Sequence, residues 1–210
     1  MQDAPSIERI TFDVLSTLAR QGHVYDEVRF APQLHTRQDL CQQDAIEAVL
    51  AGRARALRAF PDYRCGILLC CMCIGPETVN MQENLQTVRA ALDFGAKRIG
   101  HGHHIYDDPS LWPRAIRQGV TLEICPTSNI QCKTQPSYAL HPAKQLLDAG
   151  LRVTISTDNM TLAADTLEDE YRHCVMQMGF TGEDLQTMAR YALDAAFLPE
   201  AEKREIAGKF

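Results

Sequence analysis

Apolar residues recur at helical spacing through Ile7, Ile10, Val14 and Leu18, with Gly22 just beyond as a stop, so the chain opens on an amphipathic helix. Residues 24–31 change period to a short, partly alternating run ahead of Pro32, the pattern of a strand closed by a proline. The helical period returns over residues 44–60 through Ile46, Val49, Leu50, Leu57 and Phe60. Residues 65–74 form a continuous apolar run bounded by Pro61 and by Gly75-Pro76, which reads as a buried strand. Residues 82–94 are helical again, with Leu85, Val88, Ala91 and Leu92 on one side and Gly95 as terminator, and a short strand starts at Arg98. Residues 108–119 and 141–150 each carry a proline near the start and a glycine at the end, marking short helices that lead into strands at 121–125 and from Val153. Two long helical stretches, 162–178 and 183–197, close the chain; Thr181 is the natural N-cap of the second, with Asp184 three residues on. Strands alternating with helices predict an α/β chain with parallel strands, five of them.

Candidate chemistry sits where those strands end. Val153-Thr-Ile-Ser-Thr-Asp-Asn159 is β-branched and apolar until it delivers Asp158 and Asn159 to the carboxyl end, where barrel and open-sheet enzymes keep their sites. Asp158 suits a zinc ligand, because the metal neutralises a carboxylate that is costly to bury; it also suits an N-cap or ion pair, since a helix begins directly afterwards. In Arg98-Ile-Gly-His-Gly-His-His104 an extended reading puts His101 and His103 on one face and His104 on the other. That pair could chelate a metal, or one imidazole could serve as acid or base; alternatively one histidine bonds within the core while the others are solvated. Gly100 and Gly102 favour close approach of backbone or ligand beside His101. Glu123, a charge inside an apolar strand, reads as a structural ion pair or a catalytic acid, with the polar loop 126–129 following it. Cys125 and Cys132 are too sparse for a zinc knuckle, and Cys70-Cys-Met-Cys73 reads as packing.

Composition narrows the partners. With 210 residues and 45% hydrophobic content the chain is expected to form a single domain around one core. A net charge of -6 argues against nucleic acid or a membrane surface and for a small soluble substrate. No apolar run approaches the roughly 18 residues of a membrane span, and Met1-Gln-Asp-Ala-Pro-Ser6 lacks a signal-peptide pattern, so a cytoplasmic location is expected. Eight cysteines then read as reduced, mostly buried thiols.

Four motifs occur in a specific order: Gly100-His-Gly-His-His104, Glu123-Ile-Cys-Pro-Thr-Ser-Asn129, Ser156-Thr-Asp-Asn159 and Phe197-Leu-Pro-Glu200. Together they resemble the adenosine deaminase family, and residues 25–36 resemble that family's second barrel strand. The resemblance implies a (β/α)8 TIM barrel of the amidohydrolase type, a hydrolase in which zinc (Zn2+) activates a water that displaces ammonia from a purine nucleoside. It implies that His101 steers or deprotonates that water, that Asp158 ligates the zinc, and that Asn159, an aspartate in many members, contacts the purine. The chain departs from the family pattern at two places. It opens on the helix near Ile7 without the His-x-His pair of the family's first strand, and it contains no His-Ala-Gly-Glu motif. Residues 82–88 resemble the helix after the third strand and 89–95 the helix after the fifth. The expectation is therefore one adenosine deaminase-like domain over residues 1–210, truncated at its N-terminus. It is an incomplete barrel of about five of eight strands with a deletion junction near 88–89. The alternatives are an inactive remnant that binds purines or self-associates through strand edges left open by the deletion, and an aminohydrolase acting on AMP or adenine.

Overall fold

The computed structural model describes residues 1–37, 39–70 and 81–208, of which 81–84 and 87 are described by their backbone. The chain divides into two compact units, one of Met1–Pro76 with Arg204–Phe210 and one of Glu77–Lys203.

In the first unit, α1 (Ala4–Arg20) starts where the Asp3 carboxylate accepts from the Ser6 N–H, with Pro5 in the first turn where no N–H is required. Strand β1 (Tyr25–Phe30) follows, then a 3-10 turn over Pro32–His35, helix α2 (Gln42–Ala59) and strand β2 (Arg64–Leu69). The two strands are parallel, Tyr25 opposite Arg64 through Phe30 opposite Leu69. Ile7, Ala45, Ala48 and Val49 bury the facing stripes of α1 and α2, with Phe30 and Ile67 packed against them from the strands. The apolar run expected to be strand to residue 74 is strand as far as Leu69; positions 71–74, with Cys71 and Cys73, lie outside the described residues.

The second unit holds α3 (Met81–Asp93), β3 (Arg98–Gly100), 3-10 turns over His103–Asp107 and Pro109–Leu111, α4 (Trp112–Gln118), β4 (Thr121–Ile124) and α5 (Pro126–Gln131). After a 3-10 turn at Tyr138–Leu140 come α6 (Ala143–Asp148), β5 (Arg152–Ile155), α7 (Met160–Ala163), α8 (Leu167–Gln177) and α9 (Gly182–Ala195); α10 (Glu200–Ala207) closes the chain. The three strands form a parallel sheet in the order β3-β4-β5, with Ile99 beside Leu122 and Leu122 beside Val153. Leu122, Ile124 and Val153 are fully buried under Leu92, Leu146 and Met188 from the surrounding helices and Leu151 from the connection before β5. Burial of strands on both faces is what the apolar, weakly alternating sequence of residues 153–155 demanded.

Three elements differ from the sequence expectation. The helix expected over 108–119 is a 3-10 turn at Pro109–Leu111 followed by α4 from Trp112. The helix expected over 162–178 breaks at Ala164, which is left-handed (φ 54°), and restarts at Thr166. Thr166 and Asp169 form a reciprocal capping box, which satisfies end-group N–H donors that a continuous helix would not have needed to cap. Residues 126–129, expected as a polar loop, begin helix α5, opened by Pro126 at a position that needs no N–H.

Candidate active site

Strand β3 ends at Gly100, and the His101 N–H still donates to the Glu123 carbonyl at 2.8 Å, carrying the ladder one residue further. His101 (φ 59°) and Gly102 (φ 63°) are then both left-handed, so the chain reverses into the 3-10 turn. This overturns the extended reading in which His101 and His103 share a face. His103 turns into the core, 3% exposed, while the His104 ring pairs with Asp107 at 2.9 Å. Burial pushes the His103 pKa down to about 3, with His104 and His141 contributing, so the ring is neutral.

Gly102 is required by contact as well as by conformation. A β-carbon there would lie 2.9 Å from Leu122 Cδ2, and Leu122 is fully buried. Gly102→Ala is therefore expected to lower stability by about 1–2 kcal/mol, measured by urea unfolding.

His101 and Asp158 arrive from different strand ends. Strand β5 finishes at Ile155, the Ser156 N–H extends its pairing to the Ile124 carbonyl at 2.9 Å, and Asp158 follows. His101 Nε2 stands 3.8 Å from Asp158 Oδ2, both side chains being nearly half exposed, at 42% and 48%. Asp158 Oδ2 accepts from Ser128 Oγ at 2.7 Å, and His101 Nδ1 lies 2.9 Å from Asn129 Nδ2. The capping role that Asp158 could have taken belongs to its neighbour: Asn159 Oδ1 accepts from the Leu162 N–H at 3.1 Å and opens α7.

Ser128 and Asn129 reach both groups because the start of α5 is itself tied down. Thr127, Ser128 and Asn129 are buried. The Thr127 N–H donates to both carboxyl oxygens of Glu170, at 3.1 and 3.3 Å, and Thr127 Oγ1 bonds the Tyr138 hydroxyl at 2.9 Å. Glu170 is fully buried beside Asp165, and burial pushes its pKa up to about 8, with the neighbouring Asp165 charge adding to the rise. Sequence reasoning missed Glu170. Its signal was a carboxylate at helical spacing within the apolar stripe Leu167, Cys174, Met178.

Glu123 is resolved as a structural pair, its Oε1 2.7 Å from Arg98 Nε. The same arginine donates to the Ala195 carbonyl at 3.2 Å and lies over the Phe197 ring, 4.2 Å from its centroid.

The family model described as adenosine deaminase matches residues 1–87 and 82–210. The chain belongs to the adenosine deaminase family. The adenosine deaminase of Haemophilus ducreyi is 27% identical over 261 residues, an alignment that takes in 98% of this chain and 76% of that protein. Because that alignment is longer than the 210-residue chain, the relative carries positions that this chain lacks. Among solved structures, the adenine deaminase from Arthrobacter aurescens superposes with a TM-score of 0.83 at 18% identity, covering 97% of this chain and 78% of its own. An amidohydrolase from Burkholderia ambifaria, with bound Zn, gives 0.85 at 18%, covering 99% and 72%. These likenesses give the fold: parallel strands and helices of the deaminase TIM barrel, represented among the described residues by five strands.

The chain is thus a member of a hydrolase family whose site residues can be tested for a fit to zinc. A zinc centre takes three or four protein donors at bonding distance. Among the described residues no group of three or more His, Cys, Asp or Glu is arranged to hold a metal. Among the described residues Asp158 has the His101 Nε2 beside it and accepts from Ser128. The described residues do not fit a zinc centre.

Proposed function

We propose that the chain is an adenosine deaminase-type aminohydrolase of purine salvage, whose substrate is adenosine or deoxyadenosine and whose products are inosine or deoxyinosine. One observation carries this reading: His101 and Asp158, from the ends of β3 and β5, meet at 3.8 Å in a chain matched by the family model along its whole length. His101 is the group that steers or takes a proton from the attacking water. Asp158 is the acidic group on the water side, held by Ser128, and Asn159 is the purine contact. Adenosine is preferred because the curated relatives are adenosine deaminases; the likeness to an adenine deaminase makes the free base the competing substrate.

Zinc is the family's expected cofactor, and one aspartate beside one histidine is not a ligand set for it. The same observation favours a second reading, a chain that binds purines without turning them over. Elemental analysis together with the adenosine-to-inosine absorbance change separates the two. Stoichiometric zinc with turnover supports the enzyme, whereas purine binding without zinc or turnover supports the second reading.

We further infer that both units derive from a single family domain over residues 1–210 with a junction near 88–89. The family model supports this by matching in two segments that overlap at residues 82–87. Among the described residues β2 pairs with β1 and β3 with β4, each through one edge, and the remaining edges are where self-association would occur. Size-exclusion chromatography with light scattering tests it: a strict monomer at all concentrations rejects self-association. Among the described residues no helix is long and apolar enough to cross a membrane. We place the chain in the cytoplasm, a reading supported by buried free thiols at Cys65 and Cys174.

A further inference from the structure

A line of hydrogen bonds runs from a backbone amide to the exposed face of His101. The Ala143 N–H, an end-group donor at the start of α6, points at His141 Nδ1 at 3.2 Å. A backbone N–H can only donate, so His141 Nδ1 is an acceptor and carries no proton. His141 is 4% exposed, and burial pushes its pKa down to about 4, so at neutral pH its one proton is on Nε2. That nitrogen lies 3.1 Å from Asn129 Oδ1 and donates to it. With its oxygen engaged there, the Asn129 amide presents its NH2 at the other end, 2.9 Å from His101 Nδ1.

We propose that His141 and Asn129 are positioning residues that fix neutral His101 as the tautomer protonated on Nε2, the direction of the whole line being set by the Ala143 N–H. The nitrogen facing Asp158 Oδ2 at 3.8 Å is then a donor. It follows that neutral His101 steers whatever occupies the space beside Asp158 by donating a hydrogen bond, and does not take a proton there. This consequence for the water rests on the function proposed above; the tautomer itself rests on geometry alone.

Two-bond proton–nitrogen correlation spectra of the full chain with labelled histidine read the tautomer without requiring turnover, at a pH where the ring is neutral. In the unsubstituted chain His101 is expected to show two fully distinct ring nitrogens with the proton on Nε2, and His141 likewise. Averaged nitrogens, or a proton on His101 Nδ1, overturns the proposal. Asn129→Asp puts an acceptor at both ends of the line and is expected to move the His101 proton to Nδ1 while His141 keeps its proton on Nε2; an unchanged His101 overturns the proposal. Should the buried carboxylate prevent folding, His141→Phe is read instead. There the Asn129 amide is free to turn, and His101 is expected to average its tautomers; a still-fixed ring overturns the assignment. Failure of the deaminase reading, seen as no turnover and no purine binding, leaves these spectra unaffected, so the two outcomes are distinguishable.

Discussion

Glu170→Ala is expected to destabilise the Glu77–Lys203 unit by about 3 kcal/mol, read from the urea midpoint. The substitution removes both acceptors of the Thr127 N–H and empties a fully buried site. It also strips the Glu170 carboxyl from beside the buried oxygens of Asp165. Glu170→Gln is the informative companion, because an amide keeps an acceptor for Thr127 and a donor for Asp165 and carries no titrating proton. The pH dependence separates the two effects. Burial raises the Glu170 pKa from its usual 4.5 to about 8, so between those values the folded chain holds a proton that the unfolded chain has released. The stability from this proton is full below the unfolded value and is lost as pH rises through the folded one. Asp165 is shifted in the same direction by burial and adds the same sign. The unsubstituted chain is expected to lose on the order of a few kcal/mol between about pH 4.5 and 8. Glu170→Gln is expected to flatten that slope; an unaltered slope would mean that the proton lies elsewhere. The consequence for the site is direct, since Thr127 leads the turn whose next two residues hold Asp158 and His101.

The local signals that were legible in the sequence share a physical origin. Pro142 and Gly150 located α6, Gly119 located the end of α4, and the Thr181 and Asp184 capping pair located α9, because each satisfies end groups by rules that need no distant partner. Strands β4 and β5 were legible because strands buried on both faces are largely apolar, whereas β1, only partly buried, was legible from its partial alternation ahead of Pro32. His101 and Asp158 were legible as strand-end residues, and their approach follows from strand order. What was not legible depends on tertiary partners. His101 is left-handed although it carries a side chain, so the reversal that separates it from His103 needed the Leu122 contact to be seen. Glu170 looked like an ordinary helical carboxylate until Thr127, forty-three positions away, supplied its partner. Asn129 lay in a segment read as loop, and its role emerges only when His141 is beside it.

Gly52→Ala is expected to destabilise the unit containing α1 and α2 by about 3 kcal/mol, against the intrinsic preference of the helix. At an exposed position inside α2 alanine would gain up to about 1 kcal/mol over glycine, so the sign of the measured change reports the contact. A β-carbon at Gly52 would lie 2.4 Å from the Glu8 carbonyl oxygen, 2.8 Å from Thr11 Cβ and 3.2 Å from the Phe12 backbone nitrogen. All three atoms belong to the frame of α1 and cannot rotate away, so relief requires the helices to separate. Separation would in turn strain the groups that bridge the crossing: Arg55 pairs with Glu8 at 2.7 Å and lies over the Phe12 ring, 4.5 Å from its centroid. Gly182→Ala is the matched control, because Gly182 begins α9 with nothing within 4 Å of a β-carbon there. It is expected to leave the urea midpoint unchanged or raise it slightly. A Gly52→Ala chain as stable as the control would mean that α1 and α2 do not approach as closely as their backbones indicate. A large loss at Gly52 with none at Gly182 assigns the cost to the helix crossing rather than to any general effect of replacing glycine.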